Sequence, residues 1–234
     1  MILVIPFTGP SDYYDELSTR LLKLGGLGGH RLLVPTPQHL LSQAEAFVSG
    51  VRNQFVAADL VPANIADASL VWLFREGLLA ASMVKPGMQE IPSAPVLWLD
   101  PGFVPTKADW ADGIQSAFFN AGGGVRILAS WRRSVDTAHG WEPTGPVVFP
   151  SGWISECEML SSINGGSCPW KEYFQYSFDD VRAESPLLSE SKDSLIAEFV
   201  PTPETAATPP VRRVAAVRAA PSTPTPTPTP TPSA

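Results

Sequence analysis

Short, continuous apolar runs alternate with amphipathic segments over the first 100 residues, and this alternation constrains the fold more than any other feature. Ile2–Pro6, "HRLLVP" (30–35) and "APVLWL" (94–99) are almost uninterrupted apolar stretches. Runs of this kind are typical of strands that are covered on both faces. Because helical patterns lie between them, we predict a mixed, mostly parallel sheet flanked by helices, an α/β fold.

Three segments between these strands have apolar residues near helical spacing. They are "YYDELSTRLLKLG" (13–25), which Ser11 or Asp12 can cap, "SQAEAFVSGVRNQF" (42–55) and "ADASLVWLFREGLLAASMV" (66–84). The run "GGLGG" (25–29) follows the first helix and precedes a strand, whereas a phosphate-binding glycine loop follows a strand and precedes a helix. We interpret these glycines as a helix stop and turn.

The later part of the domain is less regular. We predict a helix in "TKADWADGIQSAFFNAG" (106–122) and strands in "GVRILASW" (124–131) and "PVVFP" (146–150). A helix candidate, "SECEMLSSI" (155–163), lies in a stretch rich in Gly, Pro and Ser. The segments "EYFQYSFDDVRAES" (172–185) and "KDSLIAEF" (192–199) are expected to close the domain.

The C-terminal segment differs in composition from the rest of the chain. Residues 201–234 contain 10 of the 25 prolines, with strict Thr-Pro alternation from Thr223 to Pro232. Proline at every second position removes half of the backbone donors and favours polyproline II, so we predict a disordered or extended Pro-rich tail. The domain organisation is therefore one folded α/β domain, 1–200, followed by a tail, 201–234.

Charge and targeting signals exclude several functions. The first 200 residues carry 13 Lys and Arg against 22 Asp and Glu, a net charge of −9. An acidic domain repels a nucleic-acid backbone, so we expect no nucleic-acid partner.

The opening "MILVIPF" resembles a first strand more than a signal peptide, and no apolar run is long enough for a membrane helix. Cys157 and Cys168 match no zinc or redox spacing, which leaves a disulfide or two thiols.

Asp100 is the first candidate site residue. It ends the apolar run "VLWLD" and is followed by Pro101 and Gly102. In sheets of this type, ligands bind beyond the carboxyl ends of the strands, and a carboxylate there can ligate Mg²⁺ or Mn²⁺. Asp-Pro-Gly is also a common turn, so the alternative is a purely structural role.

Three further features have both a functional and a structural interpretation. His139, in "VDTAHGW", can ligate a metal or move a proton, or it is an ordinary loop histidine. Asp179 and Asp180 suit a general base or the start of a helix. The aromatic excess can provide platforms for sugar rings, although most of these side chains should belong to the core; it comprises Trp98, Trp110, Trp131, Trp141, Trp153 and Trp170.

In chain order, these segments resemble the small glycosyltransferase-like proteins of bacteriophages. The matching elements are "ILVIPF", "HRLLVPTP", "VPAN" (61–64), "VLWLDPGFVPTKADWADGI", "AHGWEPTGPVVFP", "FDD" and "SLI", across residues 2–197. The resemblance implies the nucleotide-diphospho-sugar transferase-like fold of A-type glycosyltransferases. It also implies a nucleotide-sugar donor, and a Mn²⁺ or Mg²⁺ ion on its diphosphate.

Carried onto this sequence, the resemblance makes Asp100 the first acid of the metal and donor site, His139 a late metal ligand and Asp179 the catalytic base. The second acid of the family motif should fall at position 102, where this chain has Gly102. Losing one carboxylate from a two-carboxylate site removes charge that few other ligands replace.

Two functions follow from the resemblance. The first is transfer of a sugar from a nucleotide-sugar donor to a hydroxyl acceptor, in a host cytoplasm. The second is a catalytically inactive structural protein of a bacteriophage virion, in its capsid, neck or tail, anchored to other virion proteins through the Thr-Pro tail. Sugar recognition without turnover, through exposed tryptophans, is a third. Fold alone does not choose between them, because function depends on the site.

Overall fold

The computed structural model describes residues 1–65, 69–84, 94–122, 127–133, 141–150, 182–188 and 194–200. In the N-terminal part, four strands alternate with three helices: β1 (Ile2–Val4), α1 (Asp12–Leu24), β2 (Arg31–Pro37), α2 (Leu41–Val51), β3 (Ala57–Ala63), α3 (Leu70–Met83) and β4 (Val96–Trp98). Short 3-10 helices flank α2 at Gln38–Leu40 and Arg52–Gln54. All four strands run parallel, in the spatial order β3-β2-β1-β4.

The remaining elements extend this sheet and add a second, smaller one. They are β5 (Phe103–Pro105), α4 (Trp110–Asn120), β6 (Ile127–Arg133), β7 (Trp141–Phe149), β8 (Arg182–Glu184), a 3-10 helix (Pro186–Leu188) and β9 (Ile196–Glu198). β7 is antiparallel to both β4 and β6, and β8 is parallel to β6. The large sheet therefore has the order β3-β2-β1-β4-β7-β6-β8, while β5 pairs with β9. The predicted mixed, mostly parallel sheet with flanking helices is confirmed.

Each face of the large sheet has its own core. Leu3 of β1 faces the side chains of α1, α2 and α4, whereas Ile2 and Val4 face α3. This division explains why β1 is apolar at every position: alternate side chains point to opposite faces, and both faces are buried. Full burial of one such aliphatic side chain contributes about 1.5–3 kcal/mol.

The four helix predictions that fall within the described residues are confirmed to within a few residues, and the glycine run after α1 is a helix stop. The backbone N–H of Gly25 donates to the carbonyl of Leu21 at 3.2 Å, and β2 begins at Arg31. Three of the tryptophans lie in the core, as expected: Trp98, Trp110 and Trp131 are all less than a tenth exposed. They are too buried to serve as sugar platforms.

Four strands were missing from the sequence prediction: β3, β5, β8 and β9, of which the last two lie in the segments 172–185 and 192–199, to which no element was assigned. β3 lies at the sheet edge, and most of its residues are half-exposed, so it lacks the continuous apolar pattern that marks the central strands. β5 is only three residues long and pairs with β9, more than 90 residues later. The candidate helix 155–163 and the tail 201–234 lie outside the described residues. Within the part of the chain that is described, no helix is long and apolar enough to span a membrane.

Candidate functional site

The carboxyl ends of β1, β2, β3 and β4 form one edge of the sheet. Polar residues follow these strands: Thr8 after β1, His39 after β2, Asn64 after β3 and Asp100 after β4. His39 and Asn64 are exposed, and Thr8 and Asp100 are half-buried. Ligands of open α/β sheets bind at this edge, so it is the candidate functional site.

Asp100 lies two residues beyond the buried indole of Trp98, and the two side chains are hydrogen-bonded. The indole N–H of Trp98 donates to Oδ1 of Asp100. No other hydrogen bond to this carboxylate comes from the described residues. Burial raises the pKa of Asp100 to about 7, although the bond from Trp98 acts in the opposite direction. The carboxyl therefore titrates near neutral pH.

The backbone of the Asp100 turn is held by a bond of its own and by two neighbouring elements, α1 and β9. Within the turn, the N–H of Phe103 donates to the carbonyl of Asp100 at 3.1 Å. The hydroxyl of Tyr13, on α1, donates to the carbonyl of Phe103 at 3.0 Å, with the Asp100 carbonyl at 3.5 Å. The N–H of Phe199, just after β9, donates to the carbonyl of Gly102 at 2.5 Å. These bonds hold the backbone that positions the Asp100 carboxyl. The carboxyl itself is bonded by the indole N–H of Trp98.

Burial also keeps Tyr13 neutral. It raises the pKa of the Tyr13 phenol well above its usual 10, and the nearby Tyr14 and Asp100 raise it further. The hydroxyl of Tyr13 therefore stays protonated at neutral pH and can donate its hydrogen bond to the turn. Tyr13 is a positioning residue that the sequence analysis did not identify, because its partner is 90 positions away in the chain.

Gly102 occupies a backbone conformation that a carboxylate-bearing residue rarely adopts. Its φ is +100°, outside the range that L side chains prefer. A Cβ built at this position would have no heavy atom within 4 Å, so space is available. The positive φ therefore favours glycine at position 102, where the family motif has its second acid. A side chain would have room there, so the backbone conformation and not a steric clash explains the glycine.

Gly145 of β7 lies against the same turn. Its φ is +87°, and a Cβ there would lie 2.8 Å from Cζ of Phe103. Both its conformation and its close approach to the Phe103 ring thus require glycine. β7 and the turn pack together through this contact, beside a register shift between Ala129 and Trp131 in β6.

The loop after β1 is held by Tyr14. The hydroxyl of Tyr14 donates to the carbonyl of Pro6 at 2.6 Å and accepts a bond from the backbone N–H of Thr8 at 3.0 Å. Gly9 then takes a φ of +133°. Thr8 and His39 were not identified by the sequence analysis, although both follow a buried strand, which is the signal that identified Asp100.

His139 and Asp179, the other predicted site residues, lie outside the described residues. The described ends of β6, β7 and β8 are close to these two residues in the sequence, and their pairing shows on which edge of the sheet each end lies. Arg133, at the end of β6, pairs with Trp141, at the start of β7, on the sheet edge that carries Asp100. By contrast, β8 begins at Arg182, which pairs with Ile127 at the amino end of β6, the opposite edge.

The described residues do not form a metal site of the expected kind. They contain no group of three or more His, Cys, Asp or Glu side chains placed to hold a metal ion. Asp100 offers one carboxylate, and the position two residues later is Gly102. Within the described ranges, Asp100 and Gly102 thus supply one of the two carboxylates that the resemblance implies, and His139 lies outside these ranges.

No protein-family model and no curated protein matches this sequence. Among solved structures, a galactosyltransferase, LgtC, in complex with donor and acceptor sugar analogs aligns with a TM-score of 0.51 and 10% sequence identity, covering 86% of this chain and 87% of that one. An active-site mutant of LgtC aligns with a TM-score of 0.52 and 10% identity, covering 86% and 88%. The chain therefore has the nucleotide-diphospho-sugar transferase-like fold of these glycosyltransferases.

Proposed function

We propose that this protein transfers a sugar from a nucleotide-sugar donor to a hydroxyl acceptor. The observation that carries the proposal is the half-buried carboxyl of Asp100 at the carboxyl end of β4, in a fold shared with a galactosyltransferase. The turn that carries this carboxyl is held through its backbone by α1 and β9. A fixed polar group at a ligand-binding edge is suited to orienting a substrate.

Asp100 is the proposed donor-binding residue. With a pKa of about 7, it has comparable protonated and ionised populations near neutral pH. The protonated form can donate a hydrogen bond to a ribose or phosphate oxygen, and the ionised form can accept one from a hydroxyl. Either interaction leaves the bond from Trp98 to Oδ1 in place.

The transfer itself exchanges one bond to the sugar carbon for another. The bond between the anomeric carbon and the donor phosphate oxygen breaks, and the nucleoside diphosphate leaves with the electron pair. A bond forms between the acceptor oxygen and the anomeric carbon, and the acceptor proton passes to a base. Asp179 is the base that the resemblance implies, and because β8 begins three residues later on the edge opposite Asp100, its test is separate from that of Asp100.

A divalent cation, Mn²⁺ or Mg²⁺, is the cofactor that the resemblance implies, with Asp100 and His139 as its ligands. Because the described residues do not fit a two-carboxylate site, no step of the proposed transfer is assigned to the cation. The position of His139 in the connection between β6 and β7, whose described ends lie on the Asp100 edge, supports its inclusion in the same site.

Calorimetric titration with a panel of UDP- and GDP-sugars, with and without Mn²⁺, tests the proposal. We expect one donor class to bind, and Asp100→Ala to abolish binding. Asp179→Asn should leave donor binding intact and slow transfer. Failure of every donor to bind the wild-type protein would rule out the transferase function.

Trp98 and Trp110 provide a matched pair of variants for the same titration. Both side chains are fully buried, but only Trp98 bonds to Asp100; the indole N–H of Trp110 has no partner among the described residues. Trp98→Phe should raise the pKa of Asp100 and weaken donor binding by roughly tenfold, the effect of losing one hydrogen bond to a charged group. Trp110→Phe should leave donor affinity unchanged, and equal effects of the two variants would refute the role of this bond.

A second candidate function is an inactive structural protein of a bacteriophage virion, with residues 201–234 as its anchor. Gly102, at the position of the expected second acid and with a φ of +100°, favours it, since the turn is poorly suited to a carboxylate. Purified virions should then contain the protein at fixed stoichiometry, and deletion of 201–234 should release it. Detection only in infected-cell lysate, in the host cytoplasm, would favour the enzyme.

A further inference from the structure

The last described strand brings the chain beside the Asp100 turn. β9 pairs antiparallel with β5, with Phe103 opposite Glu198. One residue further on, the N–H of Phe199 donates to the carbonyl of Gly102 at 2.5 Å. Gly102 is only two residues, about 7 Å of chain, from Asp100. The segment that follows Val200 is therefore covalently attached next to the candidate site.

That segment is rich in hydroxyl groups. Between Thr223 and Pro232, every second residue is a threonine and the others are prolines. Threonine-rich and proline-rich sequences of this kind are typical of O-glycosylated stalks. Because proline disfavours helices and sheets, the sequence predicts threonine hydroxyls that are not engaged in secondary structure and are accessible as acceptors.

The spacer between the attachment point and the repeat has a suitable length. Residues 201–222 precede Thr223 and include a run without proline, 211–220, to which the polyproline II preference of the repeat does not apply. Treated as a flexible chain, about 22 residues have a root-mean-square extension of roughly 25 Å. This span covers the few residues that separate Val200 from the Asp100 turn. A tether of this length holds its end at an effective concentration in the millimolar range, well above that of most free acceptors.

Resting on the proposed transferase function, we propose that the acceptor is the Thr-Pro repeat of the same chain. In this reaction, the bond between the anomeric carbon and the donor phosphate breaks, and a bond forms between that carbon and a threonine Oγ1. The nucleoside diphosphate leaves, and the hydroxyl proton passes to the base. The protein would thus glycosylate its own tail, within one molecule.

Intact-mass measurement of the full-length protein tests this inference. The protein is incubated with Mn²⁺ and each UDP- and GDP-hexose, and peptide mapping then locates any added sugar. We expect mass gains of whole hexose units on the repeat. Replacement of all five repeat threonines, Thr223→Val, Thr225→Val, Thr227→Val, Thr229→Val and Thr231→Val, should abolish the gain. The matched variant Thr202→Val, Thr205→Val, Thr208→Val lies in the same tail and should retain it.

Two parallel measurements separate this inference from the function on which it rests. Donor binding is followed by calorimetry, and release of nucleoside diphosphate is measured with water or a free sugar as acceptor. Donor binding and turnover without a mass gain on the repeat would overturn the inference and leave the transferase function standing. No donor binding would overturn both.

Dilution decides whether the reaction is intramolecular. Over about a tenfold dilution of the protein, an intramolecular reaction keeps the same rate per molecule. A rate that falls in proportion to protein concentration would show that the tail of another copy is the acceptor, and would overturn the inference in its stated form.

Discussion

The two ends of the parallel strands each hold an ionisable side chain, half-buried for Asp100 and buried for His30, and the two have different partners. Asp100 lies at the carboxyl end of β4, and His30 lies just before β2, at the amino end. Burial disfavours the charged form of both. It raises the pKa of Asp100 to about 7, and it lowers the pKa of His30, with the Met1 amine lowering it further and Asp112 raising it.

At the amino end, every polar atom of the histidine side chain is engaged. The Met1 amine contacts Nδ1 of His30 at 3.2 Å, and Nε2 of His30 contacts Asp112 at 3.1 Å. The same amine donates to Gln115 at 2.9 Å. The Asp100 carboxyl, by contrast, has one hydrogen bond from the described residues, to Oδ1. A buried titratable group therefore does not by itself indicate a site; a carboxyl oxygen left open at the ligand-binding edge is the more specific sign.

The largest expected effect concerns the closed cluster. His30→Ala should lower the free energy of unfolding by about 3 kcal/mol at pH 7.5. It removes a buried side chain and leaves the Met1 amine and Asp112 without their contacts to the imidazole. Asp112→Asn, at a side chain that is 65% exposed, should cost less than about 1 kcal/mol. Urea unfolding measures both, and a cost of His30→Ala below about 1 kcal/mol would show that the cluster does not stabilise the fold.

The pH dependence of this cluster has a defined sign. The pKa of His30 is lower in the folded state than in the unfolded state, so the unfolded state binds more protons below about pH 6.5. The contribution of His30 is complete above that pH and is lost as pH falls. The difference in stability between the wild type and His30→Ala should therefore shrink at pH 5.

The second effect concerns Asp100 and has the opposite sign. Its folded pKa of about 7 lies above the usual value of 3.8, so the folded state binds more protons between these values. The stabilisation is present below pH 3.8 and is lost as pH rises through 7. Between pH 5 and pH 8, the free energy of unfolding of the wild type should fall by about 2–3 kcal/mol through Asp100, and Asp100→Asn should lack this fall. Urea unfolding at the two pH values measures it, and an unchanged slope would contradict the raised pKa.

The smallest effect distinguishes the two glycines near the site. Gly145→Ala should destabilise the protein by about 2 kcal/mol, since the new methyl group meets the Phe103 ring and φ is positive. Gly102→Ala has the same unfavourable sign of φ but open space, and should cost about 1 kcal/mol. Thermal unfolding of both variants tests the difference. If Gly102→Ala costs more, the turn is held more tightly than its contacts indicate.

The large, mostly parallel sheet could be predicted because its central parallel strands are buried on both faces and are therefore apolar at nearly every position. β1 and β4 were identified in this way. β3 was not, since an edge strand with half-exposed residues has no such pattern. β5 and β9 are three residues each, and only their pairing across the chain makes them strands.

The site was predictable in part for the same reason. A carboxylate directly after a buried strand marks the carboxyl edge of the sheet, and so Asp100 was identified. The bond from Trp98, the hydroxyl of Tyr13 on the turn and the close approach of Gly145 to Phe103 were not predicted. Each joins atoms whose contact depends on backbone geometry or on residues far apart in the chain.

The sequence by itself determined the α/β class, the order of most elements and the position of Asp100 at a strand end. It also distinguished the Pro-rich segment 201–234 from the rest of the chain by composition. Local spacing of apolar residues is sufficient for these. Only the tertiary structure decided that the Asp100 carboxyl titrates near neutrality and that the turn gives Gly102 a positive φ. It alone also showed that the chain leaves β9 beside the candidate site. These depend on desolvation and on long-range pairing, which arise only when distant segments pack together.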